Sequence, residues 1–345
     1  MKKIIAITMG DPSGIGPEVV VKALLNRNIY EKCVPVVYGD VDPIKDAISF
    51  CKTFQKINII AEPEEAKGEF GVIDVISFGK VKYGDWQYKQ VSKNSGEAAF
   101  TYIIAAINDA MNKKVDAVTT GPINKESLHL AGHNYSGHTE IFAEYTNTKK
   151  YAMLLTSKTL RVIHVTTHVP LRAVCDIITK ERICDVIKIA QNAMLSIGIK
   201  KPRIAVAGLN PHCSENGLFG NEEANEIIPA VKEMTEKYCL DVTGPVPPDT
   251  VFVKAMGGQF DIVVAMYHDQ GHIPLKLSGF TLDPITNQYV SMSGVNSTLG
   301  LPIIRTSVDH GTAFGKAGEG RANEESMVDA IKMAITFAEN KNEKI

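Results

Sequence analysis

The chain has 345 residues, of which 44% are hydrophobic and 22% are charged, a composition typical of a globular protein with about two domains. Its 37 Lys and Arg residues nearly balance its 39 Asp and Glu residues, and the net charge of -2 gives no electrostatic reason to expect a nucleic-acid or membrane partner. The six cysteines form no Cys-x-x-Cys pair and no apolar stretch reaches the ~20 residues of a membrane span, so we expect a cytoplasmic protein.

Short apolar segments, which predict buried β-strands, alternate along the chain with longer helical patterns. Helices are predicted over about 96–112, 222–237 and 324–339, where apolar residues recur at helical spacing. This alternation predicts an α/β fold with a largely parallel sheet. The predicted strands are, in chain order, KIIAITM, VPVVYG, VIDVIS, DAVTT, YAMLLT, RVIHVTT, RIAVAGL and FDIVVAMY.

A glycine-rich segment, GDPSGIGPE, follows the first predicted strand. Its glycines do not have the Gly-x-Gly-x-x-Gly spacing and two prolines interrupt them, so it does not predict a Rossmann dinucleotide site. We expect instead a tight strand-to-helix turn with Pro17 at the start of the helix, from which Asp11 could face a ligand.

Reactive side chains follow five of the predicted strands. The segments after these strands are GDPSG, GPINKE, HVPLR, NPHCSENG and HDQGH. In open α/β sheets, ligands bind at the carboxyl ends of the strands. This distribution is the first indication of an enzyme.

Three histidines, His168, His212 and His268, follow three different strands. Neutral imidazole is the commonest metal ligand, and three such ligands leave coordination positions open for a substrate. Strand ends of one sheet converge, so these histidines could form a metal site; alternatively, one or two of them are hydrogen-bonded loop residues. We expect His272 to be a packed loop residue and His164 to be structural.

Two further segments could bind an anion. His138 and Thr139, in SGHTE, could hold a phosphate or a carboxylate, or Thr139 could cap a helix over EIFAEY. Arg305 lies in an apolar run, and a buried guanidinium needs an anionic partner. That partner is either a substrate phosphate, which a guanidinium binds through two hydrogen bonds, or an internal carboxylate.

The chain carries, in this order, GDPSGIGPE, TTGPINKE, SGHTE, TTHVPLR, GLNPH, PPDT, YHDQGH and NSTLGLPIIRTSVDHGTA. Together these segments resemble the 4-hydroxythreonine-4-phosphate dehydrogenase family along nearly the whole chain. DHGTAFGKAGEGRAN is also similar to the adenosine-binding loop of isocitrate and isopropylmalate dehydrogenases. The resemblance implies their non-Rossmann fold, with two α/β domains and a cleft between them. It implies a cofactor-side domain of residues 1–128 and 296–345, and a metal-binding and dimerisation domain of residues 129–295.

The resemblance also implies the site residues and a homodimer whose sites lie at the subunit interface. NAD would lie along residues 296–323, and Asp269 or Lys125 would handle the protons of the reaction. The implied ligands of a divalent metal (Zn, Mg, Co or Mn) are His168, His212 and His268; the implied substrate contacts are His138, Thr139, Lys276, Asn296 and Arg305; and the implied cofactor contacts are His310, Gly311 and Asn323.

The implied reaction is NAD-dependent oxidation of the C3 alcohol of a 4-phosphorylated four-carbon acid, followed by decarboxylation to dihydroxyacetone phosphate and CO2. The link SGFTLDPITNQYVSMSGV is longer than in the vitamin B6 branch of the family. It favours 4-phospho-D-threonate or 4-phospho-D-erythronate over 4-hydroxy-L-threonine 4-phosphate as the substrate. A metal-dependent sugar-phosphate isomerase or aldolase, which uses no nicotinamide, stays open because three histidines and phosphate-binding cations would suit it too.

Overall fold

The computed structural model describes residues 2–285 and 289–340, and its internal contacts divide the chain into two compact units. The first unit consists of residues 1–149 and 301–345, and the second of residues 150–300. Residues 129–149, predicted in the other domain, belong to the first unit because their aromatic side chains pack on Phe100. Residues 296–300 belong to the second unit because they pair with one of its strands.

The helices and strands alternate as the sequence predicts. The strands are β1 (Lys3–Thr8), β2 (Cys33–Gly39), β3 (Lys56–Ile60), β4 (Val72–Ser77), β5 (Ala117–Thr120), β6 (Ala152–Thr156), β7 (Arg161–His164), β8 (Ile204–Ala207), β9 (Val242–Val246), β10 (Ile262–Ala265), β11 (Phe280–Leu282), β12 (Tyr289–Met292), β13 (Val295–Leu299) and β14 (Arg305–Val308). The α-helices are α1 (Gly16–Ala23), α2 (Arg27–Lys32), α3 (Val41–Phe50), α4 (Lys93–Met111), α5 (Lys125–Leu130), α6 (His138–Tyr145), α7 (Leu171–Ile177), α8 (Lys180–Ser196), α9 (Ile228–Glu236), α10 (Val251–Met256), α11 (His268–Gly279) and α12 (Glu325–Asn340).

The sheet of the first unit is parallel. Its strand order is β3-β4-β2-β1-β5-β14, and each neighbouring pair runs in the same direction. Helices α4 and α12 both pack on β1 and β5, so these central strands are buried and their sequences are continuous apolar runs. The α/β class predicted from the sequence is confirmed.

The sheet of the second unit is mixed. Its strand order is β13-β6-β7-β10-β8-β9, in which β6 is antiparallel to both β7 and β13 and the other pairs are parallel. Only residues 157–160 separate β6 from β7, and Ser157 N donates a hydrogen bond of 2.8 Å to Leu160 O. So short a link permits a hairpin but not a parallel crossover.

The predicted helix boundaries hold to within a few residues. Helix α4 begins earlier than predicted, because the Ser92 side chain accepts a hydrogen bond from Ser95 N and caps it. The helix predicted over 222–237 is a π-helical turn, Glu223–Ile227, followed by α9. Pro17 lies in the first turn of α1, as predicted. In residues 2–285 and 289–340, no helix combines the length and apolar character needed to cross a membrane.

Candidate active site

A buried guanidinium lies on the last strand of the first unit. Arg305, in β14, is 3% exposed, and its Nη2 donates a hydrogen bond of 2.9 Å to Thr120 Oγ1 at the end of β5. Its guanidinium carbon lies 5.7 Å from the centroid of the Phe142 ring. Burial lowers the pKa of Arg305 to about 9, and the charge of Glu140 opposes this shift. Arg305 is therefore still a cation at pH 7, and a substrate anion and an internal carboxylate both remain chemically reasonable partners for it.

His138 is the first residue of α6, directly after the N-cap Gly137. Burial, and then the charge of Arg305, hold the pKa of His138 well below its usual value of 6.5. Its Nε2 is buried and makes no hydrogen bond to the described residues. Such atoms are rare in folded proteins unless a ligand or water satisfies them. A neutral imidazole next to Arg305 is therefore available to a ligand.

The interpretation of Thr139 as a helix cap is wrong. Helix α6 starts at His138, so Thr139 lies in its first turn, and Gly137 occupies the N-cap position without a side-chain hydrogen bond. The sequence analysis also missed Glu140. The charge of Glu140 acts on Arg305 and raises the pKa of its guanidinium. Its position two residues after His138, in the same motif, was the available signal.

The predicted cofactor residues lie in an irregular loop between β14 and α12. His310 Nδ1 donates a hydrogen bond of 3.0 Å to Gly311 O, and the side chain of Asn323 accepts one of 2.8 Å from Glu325 N at the start of α12. The loop contains one short 3-10 turn, Phe314–Lys316. Lys125, a predicted acid-base residue, is the exposed first residue of α5.

Two of the three predicted metal ligands lie together in the second unit. His168 is in the loop after β7, His268 is the first residue of α11, and their ring centroids are 5.6 Å apart. His268 Nδ1 donates a hydrogen bond of 2.6 Å to Asp269 Oδ1, which leaves Nε2 as the ligating nitrogen. A carboxylate that orients an imidazole in this way is typical of metal sites. Both histidines and Asp269 line a pocket of about 330 Å³.

His212, the third predicted ligand, does not form a three-residue metal site with His168 and His268 in the described part of the chain. His212 lies in the segment Pro211–Glu215, and residues 212–216 all have positive φ angles. Within the described ranges, no group of three or more His, Cys, Asp or Glu side chains is placed to hold a metal ion. The donor chemistry of His168 and His268 fits a divalent metal, and the complete three-histidine site stays a prediction.

His272 was predicted to be a packed loop residue, but it lies on α11. It is 9% exposed, its Nδ1 donates a hydrogen bond of 2.9 Å to His268 O, and its ring stacks on the His268 ring at 3.6 Å between centroids. His164 is fully buried, and the centroid of its ring lies 4.9 Å from that of His272. Burial lowers the pKa of His164 to about 4 and that of His272 to about 3. Both are therefore neutral at pH 7, and they support the His268 ring.

Gly271 allows α11 to approach β7 closely. A Cβ at position 271 would meet the His164 ring and would lie 2.6 Å from Val162 Cγ1. We expect Gly271→Ala to lower the free energy of unfolding by about 1–3 kcal/mol, the usual effect of overpacking a core. Urea denaturation followed by circular dichroism measures it. Gly315→Ala is the matched control, because a Cβ there has no neighbour within 4 Å. An unchanged stability of Gly271→Ala would show that α11 is packed less tightly than described.

Lys276 and Asn296 are the predicted substrate contacts of the second unit. Lys276 lies two turns after His268 on α11, and its Nζ is 5.4 Å from the centroid of the Phe280 ring. Asn296, on β13, donates from Nδ2 to Met153 Sδ at 3.2 Å. Its Oδ1 is buried and has no hydrogen-bond partner in the part of the chain that the structure describes. A ligand hydroxyl or amine could satisfy this oxygen.

Comparison with known proteins shows similarity along the whole chain. The family model described as pyridoxal phosphate biosynthetic protein PdxA matches residues 31–334. A D-threonate 4-phosphate dehydrogenase of Pectobacterium atrosepticum is 46% identical over 340 residues, which cover 98% of this chain and all of that protein.

Solved structures are similar over the same extent. A 4-hydroxythreonine-4-phosphate dehydrogenase of Klebsiella pneumoniae is 44% identical with a TM-score of 0.84. The match covers 98% of this chain and 100% of the Klebsiella chain. A 4-hydroxythreonine-4-phosphate dehydrogenase of Burkholderia phymatum is 43% identical with a TM-score of 0.82, covering 98% of each chain. The chain is thus similar both to proteins named for a hydroxy-acid substrate and to proteins named for an amino-acid substrate.

Proposed function

The chain belongs to the PdxA family of pyridoxal phosphate biosynthetic proteins, and from this premise we propose that it is an NAD- and metal-dependent 4-phospho-D-threonate dehydrogenase. It is a dehydrogenase by family, as its relatives are. The proposal adds that the enzyme oxidises the C3 alcohol of 4-phospho-D-threonate, or of 4-phospho-D-erythronate, and that the product loses CO2 to give dihydroxyacetone phosphate.

The observation that carries the choice of substrate is the 46% identity to a D-threonate 4-phosphate dehydrogenase, over 98% of this chain and all of that protein. A second candidate is 4-hydroxy-L-threonine 4-phosphate, which the names of the similar solved structures favour. The two substrates differ at carbon 2, where one has a hydroxyl and the other an amine. The dehydrogenase names of these relatives argue against a sugar-phosphate isomerase or aldolase.

The phosphate is assigned to Arg305, His138 and Thr139. Arg305 is buried and cationic, so it can hold phosphate oxygens through parallel hydrogen bonds that a surface cation in water could not make as strongly. His138 presents a buried ring nitrogen, Nε2, near this charge. Lys276 is assigned to the same anionic substrate, and Asn296 to a hydroxyl of its carbon chain.

A divalent cation is assigned to His168, His268 and His212. When bound, it would supply Lewis acidity to the alcohol oxygen and to the ketone oxygen that replaces it. The chain's contribution is to hold the imidazoles in the ligating orientation. Asp269 accepts a hydrogen bond from Nδ1 of His268, and His272 stacks on the His268 ring. With Nδ1 engaged by Asp269, Nε2 is the ring nitrogen left to ligate the metal.

Asp269 serves better as an orienting group than as the base. Its hydrogen bond with His268 is the main cause that lowers the pKa of Asp269. A carboxylate that already accepts a hydrogen bond from a ligand imidazole is a weaker proton acceptor for the substrate alcohol. We therefore assign the substrate protons to Lys125 and the orientation of His268 to Asp269.

In the proposed reaction, the C3 hydrogen leaves as hydride to NAD, and the alcohol proton passes to the base. The resulting ketone is β to the C1 carboxylate, so the C1–C2 bond breaks with loss of CO2 and leaves its electron pair as an enolate. Protonation at carbon 2 then gives dihydroxyacetone phosphate. NAD, the hydride acceptor, is assigned to the loop that carries His310, Gly311 and Asn323.

NADH formation at 340 nm tests the proposal directly. The metal-loaded chain is supplied in parallel with 4-phospho-D-threonate, 4-phospho-D-erythronate and 4-hydroxy-L-threonine 4-phosphate. We expect the highest kcat/KM with 4-phospho-D-threonate and release of one CO2 per NADH. Turnover of the amino substrate alone would replace the proposal with the vitamin B6 reaction, and an absence of NADH with all three would refute both.

We also propose a homodimer. Large apolar side chains stand exposed on one face of α11 and on strands β11 and β12 that follow it. An apolar patch of this kind is typical of a protein interface. The exposed residues are Ile273, Leu277, Leu282, Tyr289 and Val290. Sedimentation equilibrium should give twice the chain mass, and Leu277→Asp should shift it towards one chain mass.

A further inference from the structure

We propose that Glu18 and Lys22 of α1 are positioning residues for the cofactor-binding loop, defined as residues 309–324. Together with the backbone of Gly14 and Ile15, they hold this loop in the conformation that binds the dinucleotide. The inference rests on the proposed function, because it takes NAD as the ligand of the loop. It assigns a role to GDPSGIGPE, the motif that lacks a Rossmann spacing.

Most residues of the cofactor-binding loop are exposed or half-buried. Between residues 311 and 323, the buried positions are Thr312, Ala317 and Ala322. The first and last of these adjoin the predicted cofactor contacts Gly311 and Asn323. Both are also the points at which the loop meets the GDPSGIGPE segment and α1.

The first attachment is made by backbone. Ile15 N donates a hydrogen bond of 3.0 Å to Thr312 O. A Cβ at Gly14 would lie 2.7 Å from Thr312 Cβ and 2.9 Å from Thr312 O, closer than side chains approach one another. Gly14 is therefore required for the close approach of the two segments.

The second attachment is made by the side chains of an i,i+4 pair on α1. Glu18 is 1% exposed, and its Oε1 accepts hydrogen bonds from Ala322 N at 2.6 Å and from Lys22 Nζ at 2.9 Å. Lys22 Nζ also donates to Gly320 O at 2.7 Å and to Ala322 O at 2.8 Å. Four charge-assisted bonds thus meet at the end of the loop, and such bonds are stronger than bonds between neutral groups.

These attachments fix a backbone that has little regular structure of its own. Ala313, Gly318 and Gly320 have φ angles of +42°, +77° and +71°, and apart from the short 3-10 turn Phe314–Lys316 the loop is neither helix nor strand over this stretch. Without the two attachments, it would sample many conformations, and a ligand would have to order it on binding. Removal of either attachment should therefore weaken the affinity for the dinucleotide and leave the rate of the chemical step unchanged.

The test uses two variants that act on different ends of the loop. Lys22→Met removes the three hydrogen bonds of the ammonium group, and Gly14→Ala displaces Thr312. For each, the NAD dissociation constant is measured by calorimetry, and KM for NAD, KM for the phosphorylated acid and kcat by NADH formation. We expect both NAD constants to rise about tenfold, or about 1.4 kcal/mol, with kcat and KM for the acid unchanged. Hydrogen exchange of the amides of residues 311–323 should become faster in the absence of NAD.

Lys237→Met is the matched control. Lys237 forms an i,i+4 ion pair with Glu233 on α9, in the second unit, with an Nζ to Oε1 distance of 3.6 Å. The Lys237→Met variant should have unchanged values of the NAD dissociation constant and of KM for NAD. If Lys22→Met and Gly14→Ala only lower the melting temperature and bind NAD with the original affinity, the inference is overturned and the proposed function stands. If the unmodified chain does not bind NAD at all, the proposed function fails and this inference fails with it.

Discussion

Arg305→Lys should lower kcat/KM for the phosphorylated acid at least about 100-fold, mainly through KM, because an ammonium group cannot replace a guanidinium that binds phosphate through two bonds. Arg305 is 3% exposed and its Nη2 is already committed to Thr120, so its remaining donors have a fixed direction. Lys at this position keeps the charge but not that direction. Initial rates of NADH formation over a range of acid concentrations measure both constants.

The control for this prediction is Arg203→Lys. Arg203 is an exposed arginine that pairs with Asp261 in the second unit, and its replacement should leave KM unchanged. An Arg305→Lys variant with the original KM and an intact fold would show that the guanidinium serves an internal carboxylate, and Glu140 is the one whose charge acts on it.

His268→Ala should weaken divalent metal binding at least about 100-fold and remove activity, because it deletes a ligand and not only a group that orients one. Metal content after dialysis, measured by atomic emission, gives the stoichiometry, and competition with a chelator gives the affinity. His129→Ala, an exposed histidine on α5, is the control and should retain the metal.

His212→Ala separates two forms of the metal site. If His212 is the third ligand, this variant should lose the metal as His268→Ala does, although the structure does not bring His212 to the pair. If it keeps one metal per chain with unchanged affinity, the three-histidine assignment is wrong and the site is built on His168 and His268 alone.

The strands that the sequence predicted are those buried on both faces. All eight are present, since a strand covered by helices is a continuous apolar run that polar loops interrupt clearly. Strand β3, KINII, was missed because Lys56 and Asn58 break its apolar run, and β9, VTGPV, because glycine and proline are unusual inside strands. Strand β13, VNSTL, was missed because its central residues are polar, although Ser297 and Thr298 are buried.

The candidate site was predictable in its residues but not in its packing. The motifs pointed to His168, His268 and Arg305, and the structure places the two histidines side by side and buries the arginine. The stacking of His272 on His268 depends on an i,i+4 spacing, which matters only if HDQGHIPLK is helical. Gly271 and Pro274 argue against a helix there by propensity, and tertiary packing overrides them. The assignment of cofactor and metal to separate units stays a prediction.

The first unit is discontinuous along the chain, and this has a consequence for synthesis. Its strand β14 and helix α12 follow the whole second unit in sequence, and α12 packs on β14, β5 and β1. During synthesis, residues 1–149 therefore emerge from the ribosome before α12 exists. Strands β1 and β5 lack the cover of α12 until the chain has been extended to residue 340. The second unit, continuous from 150 to 300, can fold first, while the incomplete first sheet is the part of the nascent chain that chaperones would have to protect.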